Sequence, residues 1–424
     1  MGFKQEKFKN LIEHKSGYTW GKEQELDKPE EGAVRVLTVT NIQEKLDLSS
    51  ELYLKDVKDR DRKEKSVSKD WTIAVSSNGN RKRIGNAIFI SDDTDYLFAS
   101  FLTAFKPKQD ADITPEYFFQ WFSSHVVQER ITSVSEGTTG LGNLDIRYLR
   151  NMDIEYPDNE VEQKAIATIL SKVDEAIRAT ENSIKAADKL KKSLMQNLLT
   201  GKLKPDGIWR KEDEFYKHDK FGNCPVGWHW GRLSEIADIV AGQSPSGEFY
   251  NEDGIGTPML NGPTEFTDLH PIPVQFTTKV TKLCQIGDIL FTVRGSSTGR
   301  MNIADQEYCI GRGIAAIRAK EGSDIDFIYY TLVTISEKIL AEAKGAGTTF
   351  PNVSRGELLK KWVLIPDIDQ SEISSIIKSV DAFLKEKQKK VFTIQRLKKS
   401  LMQNLLTGKV RVDLRKIEKI LNEI

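Results

Sequence analysis

The chain has 424 residues, more than one ordinary core accommodates, so two or more domains are expected. Lys and Arg number 62 and Asp and Glu also 62; a formal charge of zero argues against a protein that coats nucleic acid by bulk electrostatics, while local basic surfaces stay open. No run of eighteen apolar residues occurs and the N-terminus, MGFKQEKFKN, has no apolar signal core, so the chain is read as cytosolic with no membrane segment.

In chain order, residues 1–150 open with β-type alternation: VRVLTV from Val34, WTIAV from Trp71 and AIFI from Ala87. Asn41 follows the first of these strands and suits a base reader or a turn former equally well. SSNGNRKRIG, between the next two, is a turn-like stretch that carries Asn78, Arg81, Lys82 and Arg83. Short loops with Arg, Asn and Ser or Thr bring donors to base edges and phosphates, although a solvated turn is the plainer reading of any one residue. Lys106, Lys108, Thr138 and Thr139 are further candidates for phosphate contacts. A helix is expected from Thr114-Pro115-Glu116.

Residues 151–205 contain a longer helix. Ile166, Leu170, Val173, Ile177, Leu190 and Leu194 recur at helical spacing, Pro157 precedes the run and Gly201 closes it where a left-handed cap is favoured. From Gln163 to Leu199 such a helix is roughly 55 Å long at 1.5 Å per residue. It cannot bury its apolar stripe against itself.

The second half repeats this plan. Residues 206–358 hold the strand candidates DILFTV and CIGRGIAAI and a helix starting near Asp324. The glycine-rich loop TVRGSSTGRMN offers Arg294, Ser296, Thr298, Arg300 and Asn302; Arg312, a guanidinium within an apolar strand, calls for a specific partner; Lys344, Thr348 and Thr349 join the phosphate candidates. Residues 359–424 carry a second long helix with Ile373, Ile377, Val380, Leu384, Leu397 and Leu401 in the apolar register. LKKSLMQNLLTGK stands at 190–202 and again, without one change, at 397–409, an offset of 207 that also matches Gln163 to Gln370 and Val173-Asp174 to Val380-Asp381. Fainter matches lie at offset 212: Tyr96 with Tyr308, Asp112 with Asp324 and Tyr117 with Tyr329. Two equal stripes most simply cover each other as an antiparallel coiled coil. The fold class is therefore α+β, two β-rich globules joined by two long antiparallel helices with a pseudo-two-fold repeat.

Catalytic patterns are missing from the sequence. There is no GxxxxGK[ST] loop, no strand–GxGxxG–helix unit, no HExxH or CxxC spacing, and no Asp/Asn-Pro-Pro-aromatic motif of an amino-methyltransferase. PDNEVEQK at 157–164 imitates a nuclease signature, but its acids suit a helix N-terminus and the second copy, PDIDQSEI, lacks the lysine.

CPVGWHWGRLSEIADIVAGQSPSGEFY at 224–250, GDILFTVRG at 287–295 and the proline–glutamine helix starts resemble the specificity subunit of type I restriction-modification systems over essentially the whole chain. The resemblance implies two target-recognition domains, 1–150 and 206–358, each reading half of a bipartite double-stranded DNA target. It also implies conserved helices at 151–205 and 359–424 that set the spacing and dock two modification subunits. The chain itself would be non-catalytic and bind no cofactor, with S-adenosylmethionine on the partner; restriction or translocase subunits are further candidate partners. The remaining alternative is a coiled-coil adaptor without DNA readout. The first half departs from the pattern: it lacks the Pro-x-Gly-Trp opening, with Leu11 set opposite Leu233 and Gly17 opposite Gly242, and its helix start is P-x5-Q against P-x3-Q. The tail VRVDLRKIEKILNEI is expected to fold near the N-terminus and close the pseudo-two-fold ring.

Overall fold

The computed structural model describes residues 2–43, 45–135, 141–345 and 351–413. The chain divides into two compact units, one of Met1–Glu181 with Lys389–Ile424 and one of Asn182–Gln388.

In the first unit, Phe3–Lys7 (β1), Ile12–Ser16 (β2), Val34–Leu37 (β3), Thr72–Val75 (β4), Ala87–Phe89 (β5), Tyr96–Phe98 (β6), Leu102–Pro107 (β7) and Asp153–Pro157 (β8) form the frame. TIAV of β4 is buried at all four positions and accordingly runs inside the antiparallel sheet β2-β7-β4-β5. In the neighbouring sheet β3 and β6 are parallel, Val36 facing Leu97 and Leu37 facing Phe98. β1 and β8 form a ribbon of their own. Pro115–Phe122 (α1) is capped by Thr114, whose hydroxyl accepts from Tyr117 N, and buries Tyr117, Phe118 and Phe122. Phe8 meets Phe105 and Phe118 edge-on at 5.7 and 5.8 Å, an arrangement that adds to plain area burial.

The second unit repeats this frame with Trp228–Arg232 (β9), Ala237–Ala241 (β10), Thr257–Leu260 (β11), Ile289–Thr292 (β12), Met301–Ile303 (β13), Cys309–Ile310 (β14), Ile314–Ala319 (β15) and Trp362–Pro366 (β16). The sheet order β10-β15-β12-β13, the parallel pair β11–β14 and the ribbon β9–β16 correspond to the first unit strand for strand. A hairpin, Phe215–His218 with Gly222–Pro225, precedes this frame.

The long helices are Glu160–Leu198 (α2, 39 residues) and Gln370–Leu405 (α4, 36 residues). Both are shared between the units: α2 changes unit after Glu181 and α4 after Gln388. In the first unit, Asp174 of early α2 pairs with Lys398 of late α4 at 2.6 Å, and Ile166 and Leu170 share a core with Met402, Leu405 and Leu406. In the second, Lys191 of late α2 pairs with Asp381 of early α4 at 2.5 Å, and Leu198 shares a core with Ile373 and Ile377. Early against late is antiparallel pairing, as the repeat implied. The two ion pairs are one contact made twice, with the helices exchanging roles. Gly201 and Gly408, with φ of +64° and +67°, cap the ends and donate to Leu198 O and Leu405 O.

Several correspondences drawn from sequence shift in the structure. Phe8, not Leu11, stands opposite Leu233: the amides of Phe8 and Leu233 donate to Met152 O and Lys361 O, the residues just before β8 and β16. Gly17 and Gly242 do correspond, since each ends its strand against the equivalent carbonyl, that of Ala99 or of Gly311. Tyr117 corresponds to Phe327 and not Tyr329. The caps of α1 and of Ile325–Gly345 (α3) are Thr114 and Asp324, and their amides donate to Gln163 Oε1 at 2.7 Å and Gln370 Oε1 at 3.0 Å. CIGRGIAAI is two strands, β14 and β15, separated by a turn at 311–313.

Of the tail, residues 410–413 are described and lie against the N-terminus, where Arg411 stacks over Phe3 at 5.3 Å. Arg411 Nε and Nη2 donate to the buried Glu162 carboxylate at 2.7 and 2.5 Å, and Val412 N adds a third bond at 3.4 Å. Arg411 foremost, then the Val412 amide, hold the Glu162 carboxyl below its ordinary range against the opposing effect of burial. A depressed folded value means stability that is present above the unfolded pKa of about 4.3 and lost as pH falls through the folded one. Below about pH 4, the melting temperature of the wild type should therefore fall more steeply than that of Glu162→Gln. Parallel curves from pH 7 to 3 in scanning calorimetry would show that the pair contributes nothing.

Candidate nucleic-acid interface

Strand direction gathers several loops of each unit at one end of its sheets. In the second unit the exits of β10, β11, β12 and β14 meet there: Gly242 N donates to Ile314 O, Gly311 N to Leu260 O and Val293 N to Gly313 O. Arg312 N donates to Ser244 Oγ at 3.2 Å, and Arg294 bridges Asn352. The side chains of Arg294, Ser296 and Arg312 are exposed at this end. In the first unit the matching end brings together residues 17–18, 38–43, 76–83 and 99–101, with Gly17 N on Leu102 O, Ala99 N on Leu37 O and Ser77 N on Phe101 O. Within these segments Arg81, Lys82 and Phe101 are exposed, Phe101 by 51%.

Two arginines hold these ends in shape. Arg83 donates to Val39 O and Ile42 O at 3.0 and 2.6 Å; Arg300 donates to Pro263 O and Phe266 O at 3.2 and 2.7 Å. Each sits in the loop after the buried central strand and ties down the loop after the parallel strand. Each thus spends guanidinium N–H donors on two loop carbonyls.

Other candidates are also framework. Asn41 is buried and accepts from Thr38 N while donating to Asp47 O and Ser50 O, so it is the turn former of its two readings. Asn302 is buried with its amide bonded to Thr267 on both sides, and Thr298 is buried with its hydroxyl on Gly295 O. Asn78 is half-buried and accepts from Asn80 N. Arg312 is not in an apolar strand: the turn between Gly311 and Gly313 lifts its side chain to the surface. Lys106 Nζ lies 3.7 Å from Asp70, and Lys108 Nζ donates to Lys9 O, both at the opposite end of β7 from the loops. Lys344 is exposed late in α3. Thr138, Thr139, Thr348 and Thr349 lie outside the described residues.

Phe101, Ser244 and Asn261 join these ends without having been singled out in the sequence. Phe101 reads there as the start of an ordinary apolar strand, FLTAF. Only the β6–β7 turn, which Ser76 and Ser77 close by donating to Phe101 O, turns it outward.

The helix candidates divide by burial. Ile166, Leu170, Ile177, Ile373, Ile377 and Leu384 are buried; Val173, Leu194, Val380 and Leu401 are half-buried. Leu190 and Leu397, equivalent positions that open the identical segment, are each 51% exposed. Within that segment Leu198, Leu199, Leu405 and Leu406 are buried, but Lys192, Ser193 and Gln196 and their counterparts Lys399, Ser400 and Gln403 face solvent.

Among the described residues no His, Cys, Asp and Glu cluster could hold a metal ion, and no helix is long and apolar enough to cross a membrane. Cys224, Cys284 and Cys309 are buried, and burial pushes the Cys284 thiol up to about 11. That favours the protonated, unreactive form.

Residues 2–187 and 225–393 match the family model of the type I restriction modification DNA specificity domain. A Methanocaldococcus jannaschii protein ascribed to the type I restriction enzyme MjaX as its specificity subunit is 31% identical over 385 residues, covering 89% of this chain and 87% of its own length. The MjaVIII specificity subunit of the same organism is 26% identical over 307 residues, 69% of this chain and 70% of that protein. Among solved structures, the S subunit of a type I restriction-modification system from M. genitalium superposes with a TM-score of 0.60 at 16% identity, covering 95% of this chain and 96% of that one. A chain from a study of complex assembly in the type I system gives 0.53 at 18% identity, with 96% and 98% covered. These two likenesses speak for the fold.

Proposed function

The chain belongs to the type I restriction-modification DNA specificity family, and from that premise we propose that it is a non-catalytic subunit whose two units each read one half of a bipartite double-stranded DNA target. The observation that carries this reading is a contrast. The loop ends of the two units share one frame but differ in what they expose: Arg81, Lys82 and Phe101 in one, Arg294, Ser296 and Arg312 in the other. Equal frames with unequal side chains suit two different half-sites. A bidentate Arg contact to guanine discriminates by about 1–3 kcal/mol, so a few per half-site suffice.

The identical segment supports the second part of the proposal, docking of two modification subunits. Internal packing accounts for Leu198, Leu199, Leu405 and Leu406. It does not account for identity at the exposed Lys192, Ser193 and Gln196 and their counterparts, which a shared partner surface would explain. The long helices would set the spacing of the half-sites. S-adenosylmethionine would belong to the docked subunit, which would reach its target base by flipping it out of the stack. Restriction or translocase subunits would join through that assembly.

Exchanging residues 206–358 for another reader and mapping methylated positions in cells that carry the partner tests the proposal. One half of the methylated sequence is expected to change and the other to persist. A change in both halves, or in neither, would contradict division of the target between the units.

A further inference from the structure

The internal repeat allows one unit to be compared with the other, and the space between the capped helix and the long helix differs. In the second unit Asp326, two residues past the cap of α3, pairs with Lys378 of α4 at 2.5 Å, while Tyr330 donates its hydroxyl to Asp381 at 2.8 Å. The equivalent residues of the first unit are Glu116, Ser171 and Gln120: the carboxylate is kept, but serine stands where the lysine was and the ring is gone. A cavity of about 1030 Å³ remains there between α1, β5 and the long helices of that unit.

Its lining is left short of donors. Gln120 is 1% exposed; its Nε2 donates to Ser171 Oγ at 3.1 Å, but its Oε1 has no partner. Glu116 Oε2, on α1, and Ser123 Oγ, at its C-cap, are likewise buried without partners. Buried acceptors in that state are costly unless something donates to them. Asp92, Asp93 and Asp174 also line the cavity, with Lys45 and Lys398, of which Lys398 is paired with Asp174; Glu175, at the rim, is paired with Lys172.

We propose that this cavity binds an alkylammonium group, with Glu116 and Gln120 as acceptors, beside the position at which the exposed Lys378 pairs with Asp326 in the second unit. A primary ammonium has three donors, which matches the unpartnered oxygens, and its charge answers that of Glu116. The group comes either from a free linear diamine or polyamine, whose further nitrogens the outer carboxylates suit, or from a lysine of the docked modification subunit.

The test titrates 1,4-diaminobutane and spermidine calorimetrically into the full chain without DNA. A free amine gives saturable binding to the wild type, weakened about tenfold or more by Glu116→Gln and abolished by Ser171→Lys, which transplants the second unit's own lysine. Ser171→Lys also raises the melting temperature. The second arm measures association of the same variants with the modification subunit. No amine binding, with assembly weakened about tenfold or more by either substitution, assigns the group to a partner lysine. Amine binding that is equal in wild type and Ser171→Lys overturns the proposal, as does absent binding together with undisturbed assembly. The second arm rests on the docking proposed above and the first does not, so the two fail separately.

Discussion

Gly242→Ala is expected to destabilise the protein by about 4 kcal/mol or more, an effect reserved for overlaps the fold cannot relieve. A Cβ at this position would lie 2.2 Å from Gly311 O and 2.7 Å from the carbonyl oxygens of Ile310 and Ile314. All three are backbone atoms, so no rotamer change makes room. The strand cannot withdraw either: Gly242 N donates to Ile314 O and Gln243 N to Ile310 O, each at 2.9 Å, and moving away breaks both bonds. The first unit repeats the arrangement more tightly, since a Cβ on Gly17 would stand 1.9 Å from Ala99 O. Gly17→Ala should therefore cost at least as much. Urea titration followed by circular dichroism reads both; a loss below about 1 kcal/mol would show that the strand exit relaxes and that glycine is not required there.

Gln163→Ala is expected to cost about 3–5 kcal/mol, and Gln370→Ala about 1–2, although the two residues are equivalent in the repeat. Gln163 is fully buried. Its Oε1 accepts from Thr114 N at 2.7 Å, and its Nε2 donates to Asp112 O at 2.7 Å and Pro157 O at 2.9 Å, so one side chain joins the cap of α1, the turn before it and the end of β8. Alanine leaves three backbone groups unpartnered. Gln370 is half-buried and makes two bonds, 3.0 Å from Asp324 N and a long 3.4 Å to Pro366 O, and water can replace part of what alanine removes. Equal losses in the same titration would show that burial does not set the cost.

The helical half of the architecture was legible because its signals are redundant. Periodicity, the glycine caps and an identical segment all specify one register, and the pairs Asp174–Lys398 and Lys191–Asp381 follow from it. The loop ends were legible only as regions. Asn41 and Asn302 look like base readers in a one-dimensional chain because an amide's orientation depends on distant backbone, Asp47 and Ser50 for one and Thr267 for the other. Arg312 reads as part of a strand in the sequence because its neighbours are apolar, whereas glycine on both sides breaks that strand with a turn. Helix α1 slipped by two residues because matching Tyr117 to Tyr329 followed letters, whereas the caps Thr114 and Asp324 follow the bonds to Gln163 and Gln370.

The partition of the chain has a consequence for its synthesis. One unit is a single contiguous stretch, Asn182–Gln388, while the other needs both Met1–Glu181 and the residues from Lys389 onward. The unit that leaves the ribosome first therefore waits, without Met402, Leu405 and Leu406 in its core, until the whole of the other unit has been made. The usual order, in which N-terminal domains are finished first, is reversed here. In the nascent chain, the stretch that must be kept from misassembly is the early one.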